Sequence, residues 1–340
     1  MIEIVINPTN TRDILTQISE DLNGQIEERW GEYTMTIDNA NAKGQIIYIP
    51  FDWGVNLLDF NITFHKEFIL RIEGEEFNPI RFMYNLQGYF SHRFGVQNKE
   101  HKTEQFQSVI FTNKSEGVNY IHFPKNEKLQ INIIQIVRKE FMKKRTTNVS
   151  SLNKKLYEVF VDTDHENRFS HFGELNLKMA DDVKSIHKIK SKGMLRILKI
   201  EAKVYEILSL HIQQHDRQIK GKKLPTSVSK KELKTIKKIC DLIQKEPAKQ
   251  YSLDQLSIDY GLSQAKLQDG FKFIYKRTVT EFIRHIRLEQ SRNLMKTTDL
   301  NISQIVYSIG FTSRSYFSKI FKEKFGLSPN EFKKQIVAKV

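Results

Sequence analysis

The strongest constraint on this chain is an internal repeat in its last third. GLSQAKLQDGF begins at residue 261 and GFTSRSYFSKIF at residue 310. The match extends upstream at a constant offset of 49, pairing Leu253 with Ile302, Leu256 with Ile305 and Gly261 with Gly310. One extra residue after the second glycine changes the offset to 50. It then pairs Leu267 with Phe317, Phe271 with Phe321, and TEF at 280–282 with NEF at 330–332. Each copy reads as a short amphipathic helix, a glycine, an apolar residue, a hydroxyl residue and a second helix. The glycine supplies the left-handed conformation a sharp reversal needs. Ser263 in the first copy, and Thr312 with Ser313 in the second, offer an oxygen to cap the following helix. This is the grammar of a helix-turn-helix, present twice.

The second helix of each copy keeps one apolar stripe for packing and one polar face. That face carries Gln264, Gln268 and Asp269 in the first copy, and Arg314, Ser315 and Lys319 in the second. Arginine pairs with guanine and glutamine with adenine in the major groove, so Arg314, Ser315, Lys319, Gln264 and Gln268 are the base-facing candidates. Lys272, Arg277, Arg284, Arg287 and Lys322 are candidates for phosphate contact, and each reads equally well as a solvated surface charge. Phe311, Phe317, Phe321, Phe325 and Phe332 recur at helical spacing and read as core. The joining segment FIRHIRLEQSRNLMKTTD predicts one helix of about 18 residues, or ~27 Å. Successive major grooves on one side of B-DNA recur every ~34 Å, so two such helices on one rod can reach both.

Charge supports the same partner. The chain carries a net charge of +14. From Arg217 onward there are 26 Lys+Arg against 11 Asp+Glu, whereas residues 1–216 hold 28 against 29. The whole excess lies in the last third, the footprint expected of a polyanion-binding domain attached to a near-neutral module. Charge alone fits a solvated basic surface equally well.

The first ~140 residues read as strands. YTMTI, QIIYI, GVNLLDFNITF, FILRI, IRFMYNL, SVIFT, VNYIHF and LQINIIQIV are short apolar or alternating runs separated by turn-forming clusters. With no helix between them they predict an antiparallel barrel or jelly-roll. KEFMKKR and NKKLYEVF read as short helices. The segment MLRILKIEAKVYEILSLHIQQH reads as a long one, whose apolar stripe packs on its own domain or on a second copy. DRQIKGKKLPTSVSKKE is the clearest linker. Trp53, Tyr48, Phe60 and Phe64 are candidates for an effector pocket or, equally, for barrel core. The histidines of the N-terminal half form no HxH or HxxxH pair, so no metal and no cofactor are expected. Cys240, the single cysteine, reads as a buried small hydrophobe. No apolar run of ~18 residues and no secretion signal is seen, which together fit a cytoplasmic, non-membrane protein.

The stretch from about 231 to 335 resembles the AraC-type DNA-binding domain. The specific matches are IRHIRLEQSRNLMKTTDLNISQIVYSIGF and YFSKIFKEKFGLSPNEFKK. LQDGF and MLRILKIEAKVYEILSLHIQQ resemble a subgroup that includes regulators of siderophore uptake. The resemblance implies an α+β chain: a cupin-like antiparallel β-barrel with helices over 1–215 for effector binding and dimerisation, a linker over 216–230, and an AraC-type domain of two helix-turn-helix motifs joined by a long helix over 231–338. It implies a sequence-specific, effector-responsive transcription activator. The implied partners are double-stranded DNA, a second copy, RNA polymerase and a small molecule of unknown identity. Two rivals stand beside it: a non-specific architectural DNA-binding protein, and a barrel enzyme with a DNA-binding tail. No phosphate loop, nucleophile elbow or HExxH motif supports catalysis.

Overall fold

The computed structural model describes residues 1–74, 77–221 and 226–337, the side chains of 145–148 and 335–337 excepted. Residues 222–225 of the expected linker and residue 338 of the expected DNA-binding domain lie outside them. The chain divides into two compact units, Met1–Lys223 and Leu224–Val340.

The first unit opens with β1 (Ile2–Ile6) and α1 (Thr11–Leu22), followed by β2 (Gln25–Arg29), β3 (Glu32–Asp38), β4 (Ala42–Pro50), β5 (Val55–Phe64) and β6 (Phe68–Gly74). It continues through β7 (Ile80–Gln87), β8 (Phe90–Phe94), β9 (His101–Thr103), β10 (Ser108–Thr112), β11 (Gly117–Phe123) and β12 (Lys128–Ile136). Then come α2 (Arg138–Val149), α3 (Lys154–Val161), β13 (Phe169–Phe172), α4 (Leu177–His187) and α5 (Gly193–Ile219). The strands form two sheets and not one closed barrel. One has the order β1-β6-β11-β8-β9, and the other β13-β10-β7-β12-β5-β4-β3-β2. Among the described residues every strand-to-strand ladder is antiparallel except β1 with β6. The α+β class and the strand-rich module stand as expected; closure does not, because both sheets end in short edge strands.

The two inner faces share one apolar cluster. Leu58, Phe60, Ile62 and Phe64 of β5 meet Phe68, Leu70 and Phe123 of the smaller sheet, with Ile14, Leu15, Ile18 and Leu22 from α1. Phe64 stacks on Phe68 at 4.2 Å between ring centroids. Each such buried side chain contributes about 1.5–3 kcal/mol. Along β5 these inward residues alternate with Asp59, Asn61 and Thr63, and the larger sheet is covered on its outer face too, so Leu57 and Asp59 are also buried. There α4 and α5 are fastened by polar contacts: His187 to Asp59 at 2.5 Å, Arg196 to Glu32 at 2.6 Å, and Ser108 to Gln214 at 3.3 Å.

The second unit is all helical: α6 (Lys230–Lys245), α7 (Leu253–Tyr260), α8 (Gln264–Tyr275), α9 (Val279–Thr297), α10 (Ile302–Ser308), α11 (Arg314–Phe325) and α12 (Pro329–Val337). The repeat runs through a third helix in each copy. Ser263 and Ser313 cap α8 and α11. Each of those helices ends on a left-handed residue, Lys276 (φ 57°) or Gly326 (φ 78°). The chain then enters a reciprocal cap, Thr278 with Glu281 before α9 and Ser328 with Glu331 before α12. Two turn glycines at matching positions carry different loads. Gly261 (φ 61°) has open space where a Cβ would stand, whereas a Cβ on Gly310 (φ 85°) would lie 2.4 Å from the Ala248 carbonyl oxygen. Both need positive φ; only the second also needs the absence of a side chain.

Candidate nucleic-acid interface

Helix α11 is held from below and open above. Phe317, Ile320 and Phe321 sink into a cluster with Leu288, Ile305, Val306 and Phe311. The Phe-rich face is therefore core, as its spacing predicts. Arg314, Ser315 and Lys319 stand on the opposite side, all exposed. None of the three has a hydrogen-bond or ion-pair partner among the described residues. Tyr316 (47% exposed) lies beside them, and its hydroxyl meets Nη1 of Arg284 at 3.5 Å. An exposed, unpaired arginine on the first turn of a helix is free to bond two acceptors at once.

The corresponding face of α8 is already engaged. Gln264 donates to Asp254, and Lys266 pairs with Glu232, whose carboxyl this contact helps to hold down at about 2. Oε1 of Gln268 accepts from the backbone N–H of Val279 at 3.1 Å, so this side chain caps the start of α9. Asp269 accepts from the hydroxyls of Thr226 and Ser227 at 2.9 and 2.8 Å, bonds that keep its carboxyl ionised below the usual range. Gln268 is thus corrected from base-facing to structural: it is half-buried and its acceptor is occupied. Gln264 remains exposed at the helix start.

The phosphate candidates also divide. Lys272 and Lys322 are exposed. Arg277 and Arg284 are half-buried and line an open cleft of about 400 Å³ with Lys276, Lys324, Glu281 and Glu323. Within it Nζ of Lys324 lies 2.7 Å from Glu289 and 2.8 Å from Nδ1 of His285. Burial, aided by Lys324, pushes His285 down to about 4, so its ring stays neutral and accepts. Arg287 is corrected outright. It is buried, and its guanidinium donates to three backbone carbonyls, of Pro247, Gly310 and Lys249, each at 2.9 Å. Three of its five N–H donors are committed within the unit and the side chain is buried, so it is not placed to meet a phosphate; the residue ties the turn after α6 and the α10–α11 turn to α9.

The aromatic effector candidates do not come together. Tyr48, Phe60 and Phe64 belong to the inter-sheet core. Trp53 is 42% exposed in the turn before β5, with Nζ of Lys144 4.9 Å above its ring. They are core and surface, not the wall of one pocket.

With that geometry in place, comparison with known proteins is direct. Residues 256–335 match a family described as a helix-turn-helix domain. A histidine kinase of Formosa agariphila is 36% identical over 98 residues, 28% of this chain and 7% of that one. The HTH-type transcriptional regulator MtrA of Neisseria gonorrhoeae is 30% identical over 102 residues, 29% of this chain and 34% of its own. The chain thus spans about a third or less of the length of these two relatives. Among solved structures, an AraC-type regulator of Chromobacterium violaceum aligns over 32% of this chain and 96% of its own, at 23% identity and a TM-score of 0.29. Residues 256–335 of this chain, which hold both turn glycines and both following helices, are a helix-turn-helix domain.

Proposed function

We propose that the chain is a sequence-specific DNA-binding transcription regulator, responsive to an effector, in which α11 is the principal reading helix and α8 the lesser one. One observation carries the assignment of roles. Arg314, Ser315 and Lys319 are exposed and uncommitted, whereas Gln264, Lys266, Gln268 and Asp269 of α8 are engaged in intramolecular bonds. Helix α9, 19 residues long, spans ~28 Å and sets the separation of the two reading helices. Lys272, Arg277, Arg284 and Lys322 then supply phosphate contacts. The test is Arg314→Ala, which should cost roughly 1–3 kcal/mol of operator binding and relax selectivity at one base position. Equal weakening on all sequences would make Arg314 a phosphate contact. A ratio near one between promoter and random DNA across a salt series would make the chain an architectural binder instead. Turnover by the purified chain would favour the enzyme reading.

The same reading takes the protein as a cytoplasmic homodimer that activates through RNA polymerase. Support for the dimer lies on α5, where Met194 (76%), Leu195 (56%) and Leu198 (49%) are exposed. Further along, Tyr205 and Ile212 border an apolar groove with Phe141 and Phe160. A second copy would cover this strip. Leu198→Glu should shift the sedimenting species from dimer to monomer at micromolar concentration; an unchanged mass would place the dimer contact elsewhere.

A further inference from the structure

The outer face of the larger sheet carries a row of three carboxamides. Gln45 of β4 pairs in register with Asn61 of β5, which pairs in turn with Gln130 of β12. Neighbouring strands lie ~4.8 Å apart, so the row is about 10 Å long. It forms the floor of a cavity of about 330 Å³, roofed by Ile186 and His187 of α4 and by Arg196 and Ile200 of α5. None of the three amide side chains has a hydrogen-bond partner among the described residues. Oδ1 of Asn61 is buried and meets no donor among them. A buried amide oxygen without a partner costs about 1–3 kcal/mol, and three adjacent amides serve no packing purpose that leucines would not serve better.

The remaining lining narrows the ligand. Its charges are answered from within: Asp59 holds His187 and accepts from Asn132 at 3.0 Å. The Arg196 guanidinium bonds both Glu32 oxygens, at 2.6 and 2.9 Å. An anion would have to break the second pair and a cation the first. Ile47, Ile49 and Leu57 supply an aliphatic wall. We propose that this cavity binds an uncharged molecule whose one edge carries amide or hydroxyl groups and whose other flank is aliphatic. This rests on the effector-responsive reading, for which it provides the site. Helix α5 is both the roof of the cavity and the last element before the linker, so a ligand here acts on it by contact.

The test is thermal melting of the full chain, without DNA, in millimolar cyclo(leucyl-leucyl), maltose or octanoate. An uncharged probe, amide or sugar, should raise the midpoint by about 2–5 °C, and octanoate should not. The shift should vanish in Asn61→Leu and in Gln45→Leu, the second variant guarding against a folding defect in the first. The ligand-free midpoint of Asn61→Leu should equal or exceed that of the parent. A shift with octanoate alone would make this an anion site at Arg196 and overturn the proposal, as would no shift with either uncharged probe. Failure here leaves the Arg314 test untouched, because no DNA is present.

Discussion

Arg287→Ala should leave the second unit folded but loosened, at a cost on the order of 3–4 kcal/mol of stability. The guanidinium bonds three backbone carbonyls, from Pro247, Lys249 and Gly310. Deleting it leaves the Pro247 and Lys249 carbonyls without a donor, at about 1–3 kcal/mol for each one that water does not reach, while Gly310 keeps the bond from Gln250. The effect on DNA should exceed the effect on stability. Pro247 and Lys249 lie in the turn that leads into α7, and Gly310 is the turn of the other helix-turn-helix, so Arg287 fixes the angle between the two reading helices. Gly310 cannot shift to compensate, since the space for its Cβ is already taken by Ala248. Operator binding should fall more than tenfold at a temperature where circular dichroism still shows folded protein. Arg287→Lys should recover little, because an ammonium cannot address three carbonyls in the guanidinium's planar fan. Loss of binding confined to low salt, with an unchanged urea midpoint, would return Arg287 to the role of a phosphate contact.

That residue shows where the sequence is legible and where it is not. The repeat, its caps and its turn glycines could all be read, because each is a local rule acting on adjacent residues. Arg287 was not legible by type, since an arginine on a helix reads as surface. Its position held the signal: it falls four residues after Ile283 and four before Ser291, on the buried stripe of α9. Gln268 misleads for the same reason, as its partner is a backbone N–H 11 residues away. In the first unit all eight apolar runs became strands, but β1, β2, β8, β9 and β13 did not show. QIEER is exposed along its whole length and is a strand only because β3 pairs with it. Helix α1 carried a readable signal, the Asn10 cap and the spacing of Ile14, Leu15, Ile18 and Leu22, that a strands-only reading of that stretch omits. The carboxamide row is invisible in sequence. Its members are 16 and 69 residues apart, and only strand register brings them together.

Acid should loosen the first unit between pH 6.5 and 4, with His211 on α5 as the largest single cause. Its ring is fully buried, 5.6 Å from that of Phe82, and neither nitrogen has a partner among the described residues. Burial alone pushes its pKa down to about 3. His215, one turn on, is held at about 4 by burial first and then by His171, whose ring lies 4.4 Å away. Both are bases with depressed values, so the folded unit binds fewer protons than the unfolded chain throughout this window. Stability is therefore unaffected above the ordinary histidine value of about 6.5 and falls as pH drops below it. For His211 the loss should reach on the order of 2–3 kcal/mol by pH 4.5. His187 acts in the opposite sense. Its hydrogen bond to Asp59 raises its pKa, so its contribution is complete in acid and is lost as pH rises through that raised value. The window belongs to the buried rings because His187 gains nothing further once both states are protonated. Urea midpoints of the full chain from pH 7.5 to 4.5 should fall steadily. In His211→Leu, which replaces an unpartnered ring with an apolar side chain, the fall should be shallower and the neutral-pH midpoint no lower. An unchanged slope in that variant would mean that His211 meets water in the folded protein and does not hold α5 as a neutral ring.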